Sequence, residues 1–273
     1  MKGILKGLGK GKVVLRVWSR EPYSAEFTSE QLRALAGVAG EYGSRVIRTT
    51  PRQAVEIPDI EESFAEEAAK KLEVAGFETG ASGEFTRHAF ACSRWCLYNS
   101  TPVADMAKEM NEKYGNVKMP AKLTISFSAC SFSCARSKTS DIGLIGKTKI
   151  KIEVEKCIKC GLCVKEPLGC QTDALTVSKE KPVEWDGKKC VSCGFCSNIC
   201  PVQSITAGEK GFDIHLGGGS GMFPKEAKLF KEFIGVDDVL MEVEKIVEKY
   251  IASAGKGERL FSVIERLGLE VFD

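Results

Sequence analysis

Several things are scarce in this sequence, and each scarcity narrows its chemistry. Histidine occurs twice in 273 residues, as His88 and His215, and two such isolated side chains read as ordinary polar residues. Long apolar runs are missing as well. In the basic N-terminal stretch MKGILKGLGKGKVVLRVW the longest is Val13-Val14-Leu15, too short for a signal-peptide core or a membrane span. A cytosolic protein with no membrane partner is therefore expected. Charge of one sign is lacking too: 39 basic and 37 acidic residues leave a net charge of +2, with no basic or acidic tail. Nothing pulls the whole chain toward nucleic acid, so useful positive charge must be local. With 43% apolar and 28% charged residues, the balance is that of a soluble globular protein with one or two cores.

Cysteine is what the chain has in quantity. Its twelve cysteines are a poor fit to disulfides in a reducing compartment, and metal is the better reading. All fall into spaced groups: Cys92 with Cys96, Cys130 with Cys134, then Cys157, Cys160, Cys163 and Cys170, then Cys190, Cys193, Cys196 and Cys200. Within the last two groups CIKCGLC recurs as CVSCGFC, and CQTDALTV as CPVQSITA, so the segment is an internal duplication. A C-x2-C-x2-C run offers three thiolates to three corners of a 4Fe-4S cube, and in two-cluster ferredoxins the fourth comes from the other repeat. That rule pairs Cys157, Cys160 and Cys163 with Cys200, and Cys190, Cys193 and Cys196 with Cys170. The segment resembles bacterial two-cluster ferredoxins, with a longer loop between Cys163 and Cys170 and Gln171 where the second repeat has Pro201. Zinc knuckles, which also use C-x2-C pairs, are the alternative.

The flanks read as an α+β domain. Val13–Val17 predicts a strand, Thr28 with Gln31 a capping box, and Leu32, Leu35, Val38, Ala39 and Tyr42 a buried helix face closed by Gly43. Val46-Ile47 and Ala54–Ile57 predict strands, and Phe64, Ala68, Leu72 and Ala75 a second helix. A third helix starts near Pro102 and ends near Gly115, and a strand follows over 121–127. Beyond the repeat, Phe212–Leu216 predicts a strand, and helices are expected over about 224–234, 236–253 and 257–267. The expected division is residues 1–80, then 81–148 with 211–273, with 149–210 as an inserted ferredoxin domain; insertion is structurally cheap where its two ends lie close together.

Cys92, Cys96, Cys130 and Cys134 remain for a third cluster; their i, i+4 spacing puts each pair on one face of a helical turn. Around them, YGSRVIRTTPRQAVEIPDI, TRHAFACSRWC, KMPAKLTISFSACSFSCARSKTSDIGLIG and GERLFSVIERLGLEVF resemble the sirohaem-dependent nitrite and sulfite reductases, closest to their small single-half members. The resemblance implies a nitrite/sulfite reductase half, a ferredoxin-like subdomain with a sirohaem/4Fe-4S subdomain, around the inserted ferredoxin domain. It also implies that Cys134 bridges one of three 4Fe-4S clusters to sirohaem, although the family often spaces its first pair C-x5-C rather than C-x3-C. Sirohaem is rich in carboxylates and sulfite is a dianion, so a basic pocket is needed. By the same resemblance Arg52, Arg87 and Lys122 would bind substrate, while Thr124 stands where a second lysine is usual. Arg45, Arg48, Arg94, Arg136 and Lys138 are candidates for the macrocycle's carboxylates, joined by the amides of Gly217, Gly218 and Gly219, and serines near the cysteines would donate to sulfur.

The function implied is six-electron reduction of sulfite to sulfide, with electrons from a low-potential donor protein relayed through the two ferredoxin clusters. A single-half chain implies a homodimer. Nitrite or another small oxyanion is the alternative substrate, and the alternative of another class is a three-cluster electron carrier without sirohaem, or a sirohaem protein that does not turn over sulfite.

Overall fold

Val13, Leu15 and Val17 point inward and alternate with half-exposed Lys12, Val14 and Arg16, the period-two pattern that makes this segment the central strand of a sheet. The computed structural model describes residues 3–273 apart from residues 24 and 223. The chain divides into two units, one of residues 1–91, 104–126 and 246–273, the other of residues 92–103 and 127–245.

The first unit begins with β1 (Ile4–Lys6), β2 (Lys12–Ser19), α1 (Ser29–Tyr42), β3 (Arg48–Thr49), β4 (Val55–Glu61), α2 (Ala65–Val74) and β5 (Phe77–Thr79). The strands form one antiparallel sheet in the order β1-β2-β4-β3, with β5 also paired to β2. Leu35, Val38 and Ala39 of α1 and Ala68 and Leu72 of α2 pack on Val13, Leu15, Val17, Ile57 and Phe77. The capping box forms as expected, Gln31 N–H donating to Thr28 Oγ1 and Thr28 N–H to Gln31 Oε1. One position of the expected stripe is corrected: Leu32 is exposed and Gln31 is buried. The Gln31 amide donates to Ser19 Oγ at 2.9 Å and to the Glu21 carbonyl at 3.1 Å, so a polar side chain can occupy the inner face at little cost. The strand expected at Val46-Ile47 starts later, at Arg48. Arg45 is left-handed (φ 64°) and its N–H is spent on the Ala39 carbonyl that ends α1, which leaves both apolar residues exposed.

Next come β6 (Phe90–Ala91), α3 (Val103–Tyr114) and β7 (Ile125–Ser128), then β8 (Ile142–Ile152), β9 (Leu175–Thr176), β10 (Glu184–Trp185), α4 (Phe195–Ile199), β11 (Ile205–Leu216) and β12 (Lys228–Gly235), and last α5 (Val239–Ser253) and α6 (Leu260–Leu267). In the second unit β8 pairs antiparallel with β11 along its length, from Ile205 opposite Ile152 to Leu216 opposite Ile142. Residues 153–204, with both cysteine repeats, leave from the end of β8 and return at the start of β11. The ends of that excursion are neighbours in a ladder.

The helix expected over 224–234 is instead β12. The lysines, two glutamates and alanine of residues 224–234 favour a helix, but β11 presents an edge whose backbone groups need partners, and pairing with Lys228–Gly235 supplies them. The ladder is irregular near Asp213, whose carboxylate accepts the N–H of left-handed Phe233 (φ 50°) at 3.1 Å. No helix among the described residues is long and apolar enough to cross a membrane.

Candidate functional site

The duplication is repeated in the backbone. Lys159 and Ser192 are left-handed at φ 58° and 55°, Gly161 and Gly194 at 73° and 74°, Asp173 and Gln203 both at 52°. Main-chain bonds recur in step: Val164 N–H to Gly161 O at 3.0 Å and Ser197 N–H to Gly194 O at 3.1 Å, Asp173 N–H to Cys170 O and Gln203 N–H to Cys200 O. The extra residues of the first repeat are taken up in the loop before Cys170. There the Gln171 amide donates to the carbonyls of Pro167 and Gly169 at 3.0 and 2.9 Å.

The crossed pairing expected of the cysteines is what the fold assembles. One cavity, about 20 Å³, is lined by Cys157, Cys160, Cys163 and Cys200 with Ile158, Leu162 and Val202. Another, about 270 Å³, is lined by Cys170, Cys190, Cys193 and Cys196. Burial pushes the thiols of Cys163 and Cys196 up to about 11 and about 12, so without metal they hold protons and metal binding would displace them. Cys170 is the exception. Burial raises it, but the amides of Thr172, Ala174 and Leu175 and the Thr172 hydroxyl, 3.6 Å away, outweigh that and leave it below an ordinary thiol.

The outer four also converge. Cys92 is raised by burial and by the charges of Cys134 and Cys96, and Cys130 is pushed to about 11 by burial with Cys193, Cys92 and Cys134 nearby. Neither pair lies on a helix, which corrects the expectation from spacing. Both occupy turns: Ser133 N–H bonds to Cys130 O, Arg136 N–H to Ser133 O, and Ser133 and Arg136 are left-handed. Amides reach the sulfurs, Ala129 N–H donating to Cys92 Sγ at 3.1 Å and Phe132 N–H to Cys130. Three of the serines near these cysteines donate to main-chain carbonyls. Ser137 Oγ donates to Leu144 O, Ser140 Oγ to Arg136 O and Ser131 Oγ to Val191 O, so they brace the loop. Each set offers four thiols, and main-chain amides of other residues reach the sulfurs of Cys92, Cys130, Cys170 and Cys193.

Basic residues gather separately in the first unit. The TPRQ segment is a tight turn, with Thr50 N–H bonded to Ala54 O at 2.7 Å, Gln53 N–H to Thr50 O at 2.9 Å, and Gln53 left-handed. Arg52 lies within that turn. Arg87 N–H bonds to Leu123 O, which sets it beside Lys122, and its Nη1 donates to Phe85 O at 2.6 Å. Between them is His88, which sequence reading passed over. It is buried, stacked on Trp18 with ring centroids 4.7 Å apart, and hydrogen-bonded to the Arg52 main chain. Burial, then the charges of Arg52, Arg16 and Arg87, push its pKa down to about 3, so the ring is neutral and braces the arginine turn.

Arg45, Arg94 and Arg136 are exposed. Arg48 is also exposed but is ion-paired with Glu56, which Arg16 engages too at 2.6 Å, and Lys138 pairs with Glu226 at 3.4 Å. The glycine run needs a correction. Gly217 N–H bonds to Asp141 O at 2.8 Å and Gly219 N–H to Lys225 O at 3.0 Å, so these two amides are already committed. A side chain at Gly218 would collide with the Ser140 backbone. The run is there for close packing against residues 139–141.

The family model described as the nitrite and sulphite reductase 4Fe-4S domain matches residues 84–273, and that of the nitrite/sulfite reductase ferredoxin-like half domain matches residues 22–75. An uncharacterized protein of Methanocaldococcus jannaschii is 30% identical over 244 residues, covering 89% of this chain and 84% of the relative. A coenzyme F420-dependent sulfite reductase of the same archaeon is 27% identical over 97% of this chain, which spans only 43% of that protein. The dissimilatory-type sulfite reductase subunit beta of Archaeoglobus fulgidus is 26% identical, over 88% of this chain and 73% of the subunit. Among solved structures, dissimilatory sulfite reductase I aligns with a TM-score of 0.75 at 22% identity, over 96% of this chain and 69% of that one. That likeness is one of fold.

Proposed function

Because the chain belongs to the nitrite and sulfite reductase family, we propose that it is a sirohaem-dependent sulfite reductase, catalysing the six-electron reduction of sulfite to sulfide. The convergence of Cys92, Cys96, Cys130 and Cys134 carries this reading, since two separate turns bring four thiols to one place outside the ferredoxin repeat. When bound, sirohaem supplies a redox-active iron with an open face. Cys96 and Cys134 are both exposed while Cys130 is buried, and of the two the family resemblance points to Cys134 as the thiol that would be shared with the macrocycle. Arg45, Arg48, Arg94, Arg136 and Lys138 would hold its carboxylates, Arg48 and Lys138 with charge already partly offset by Glu56 and Glu226.

Arg52, Arg87 and Lys122 bind the oxyanion and offset the negative charge that builds as electrons arrive, and waters held by these cations deliver protons. His88 fixes the Arg52 turn and, being neutral, adds no charge of its own. Residues 149–210 form the inserted ferredoxin domain with two 4Fe-4S clusters, making three in the chain, and take electrons from a low-potential donor protein. The enzyme is a homodimer in this reading. Nitrite is the second reading: Thr124 is 6% exposed, so no second cation stands at that position.

Anaerobic assays with reduced viologen and either sulfite or nitrite separate the two. Stoichiometric sulfide from sulfite, with kcat/KM falling about 100-fold in Arg52→Ala and Lys122→Ala, is the expected result. Sirohaem-loaded protein that consumes nitrite but leaves sulfite untouched would replace the first reading with the second.

A further inference from the structure

Three aromatic rings meet in the second unit, one from each of three cysteine-bearing loops. Tyr98 lies two residues after Cys96, Phe132 lies between Cys130 and Cys134, and Phe195 lies between Cys193 and Cys196. Tyr98 stacks on Phe195 with centroids 4.6 Å apart and planes at 21°, and meets Phe132 edge-on at 5.0 Å and 86°. Polar contacts pin the same loops together. Asn198 Nδ2 donates to Leu97 O at 2.8 Å, Ser131 Oγ to Val191 O at 3.2 Å, and Thr148 N–H to Ser192 O at 2.7 Å. Tyr98, Ser131 and Phe132 line the cavity of Cys170, Cys190, Cys193 and Cys196, whereas the cavity of Cys157, Cys160, Cys163 and Cys200 is lined only by residues of the insert.

We propose that Tyr98, Phe132 and Phe195 are positioning residues that hold the thiol set of Cys170, Cys190, Cys193 and Cys196 against that of Cys92, Cys96, Cys130 and Cys134, so that electrons leave the insert from the second repeat's site. This rests on the three-cluster reading above. With clusters bound, one electron at a time would pass from the site of Cys170, Cys190, Cys193 and Cys196, oxidised by one electron, to that of Cys92, Cys96, Cys130 and Cys134, reduced by one, with no bond made and no proton moved. The set of Cys157, Cys160, Cys163 and Cys200 is then the entry from the donor. The rings keep the loops in contact; they are not themselves oxidised or reduced.

Electron paramagnetic resonance of the partly reduced holoprotein reads this without any substrate. A magnetic interaction between the outer cluster and a cluster of the insert is expected to survive Cys160→Ser and to vanish in Cys193→Ser. The reverse pattern overturns the proposal. Should either variant fail to assemble, the Tyr98 pair decides: stopped-flow transfer from the insert to the outer cluster is expected to slow on the order of tenfold in Tyr98→Ala and to change less than about twofold in Tyr98→Phe, which keeps the ring. Equal rates in Tyr98→Ala and wild type, with iron content unchanged, also overturn it. A protein that shows the interaction yet does not reduce sulfite contradicts the function proposed above and leaves this inference standing.

Discussion

At Leu162 the first half of the cysteine repeat carries a side chain 37% exposed; at Phe195, the same place in the motif, the second half carries one 1% exposed. Gly161 and Gly194 make the same contrast. Both are left-handed, but a side-chain carbon at Gly161 would meet nothing within 4 Å, while at Gly194 it would come within 2.5 Å of Ser100 Oγ and 3.0 Å of Thr148. The ligand loops have been duplicated with their backbone geometry intact, and their neighbours have not. Identical cysteine spacing is thereby given two environments, one facing solvent and one pressed by the loops of the outer cysteines.

Paired substitutions test that contrast. Phe195→Ala is expected to lower the stability of the anaerobic holoprotein by about 3 kcal/mol, the cost of emptying a buried aromatic site, and Leu162→Ala by less than about 1 kcal/mol. Thermal unfolding of the two side by side measures the gap, and equal losses would erase the distinction. Gly194→Ala should cost about 1–3 kcal/mol more than Gly161→Ala. Both pay for the left-handed backbone, about 1–2 kcal/mol, but only the first also collides with Ser100 and Thr148. The smallest effect concerns potential. Thr172 bonds the Cys170 sulfur, and its counterpart in the other half is Val202. A hydrogen bond to sulfur favours the reduced, more negative cluster, so Thr172→Val should lower that cluster's potential by about 20–60 mV. A redox titration followed by electron paramagnetic resonance would detect it, and Val202→Thr should shift the other cluster upward.

What could be read from the sequence follows the range over which each feature is decided. The repeated backbone of the two cysteine runs and the capping box at Thr28 depend on spacing within a few residues, and both appear in the fold as expected. Misreadings came where a distant partner decides. Lys228–Gly235 has the composition of a helix, but the open edge of β11 makes it a strand. Leu32 fits the helical stripe, yet Gln31 takes the inner place because Ser19 and Glu21 supply its bonds. The serines around Cys130 and Cys134, and the amides of Gly217 and Gly219, are spent on main-chain groups that no local pattern reveals. His88 looked like an isolated polar residue because Arg16, Arg52 and Trp18, which surround it, come from other segments. Tyr98, Phe132 and Phe195 were legible only as neighbours of cysteines, and their meeting is a property of three loops together.

In the proposed enzyme, four thiols outside the repeat hold a cluster beside a macrocycle. Iron and acid-labile sulfide analysis of anaerobically purified protein, with its optical spectrum, tests this most directly. Three 4Fe-4S clusters and one sirohaem predict about thirteen irons and about twelve sulfides per chain, together with the absorption bands of an isobacteriochlorin. About eight irons and about eight sulfides, with no macrocycle bands, would leave only the ferredoxin repeat loaded and would contradict it.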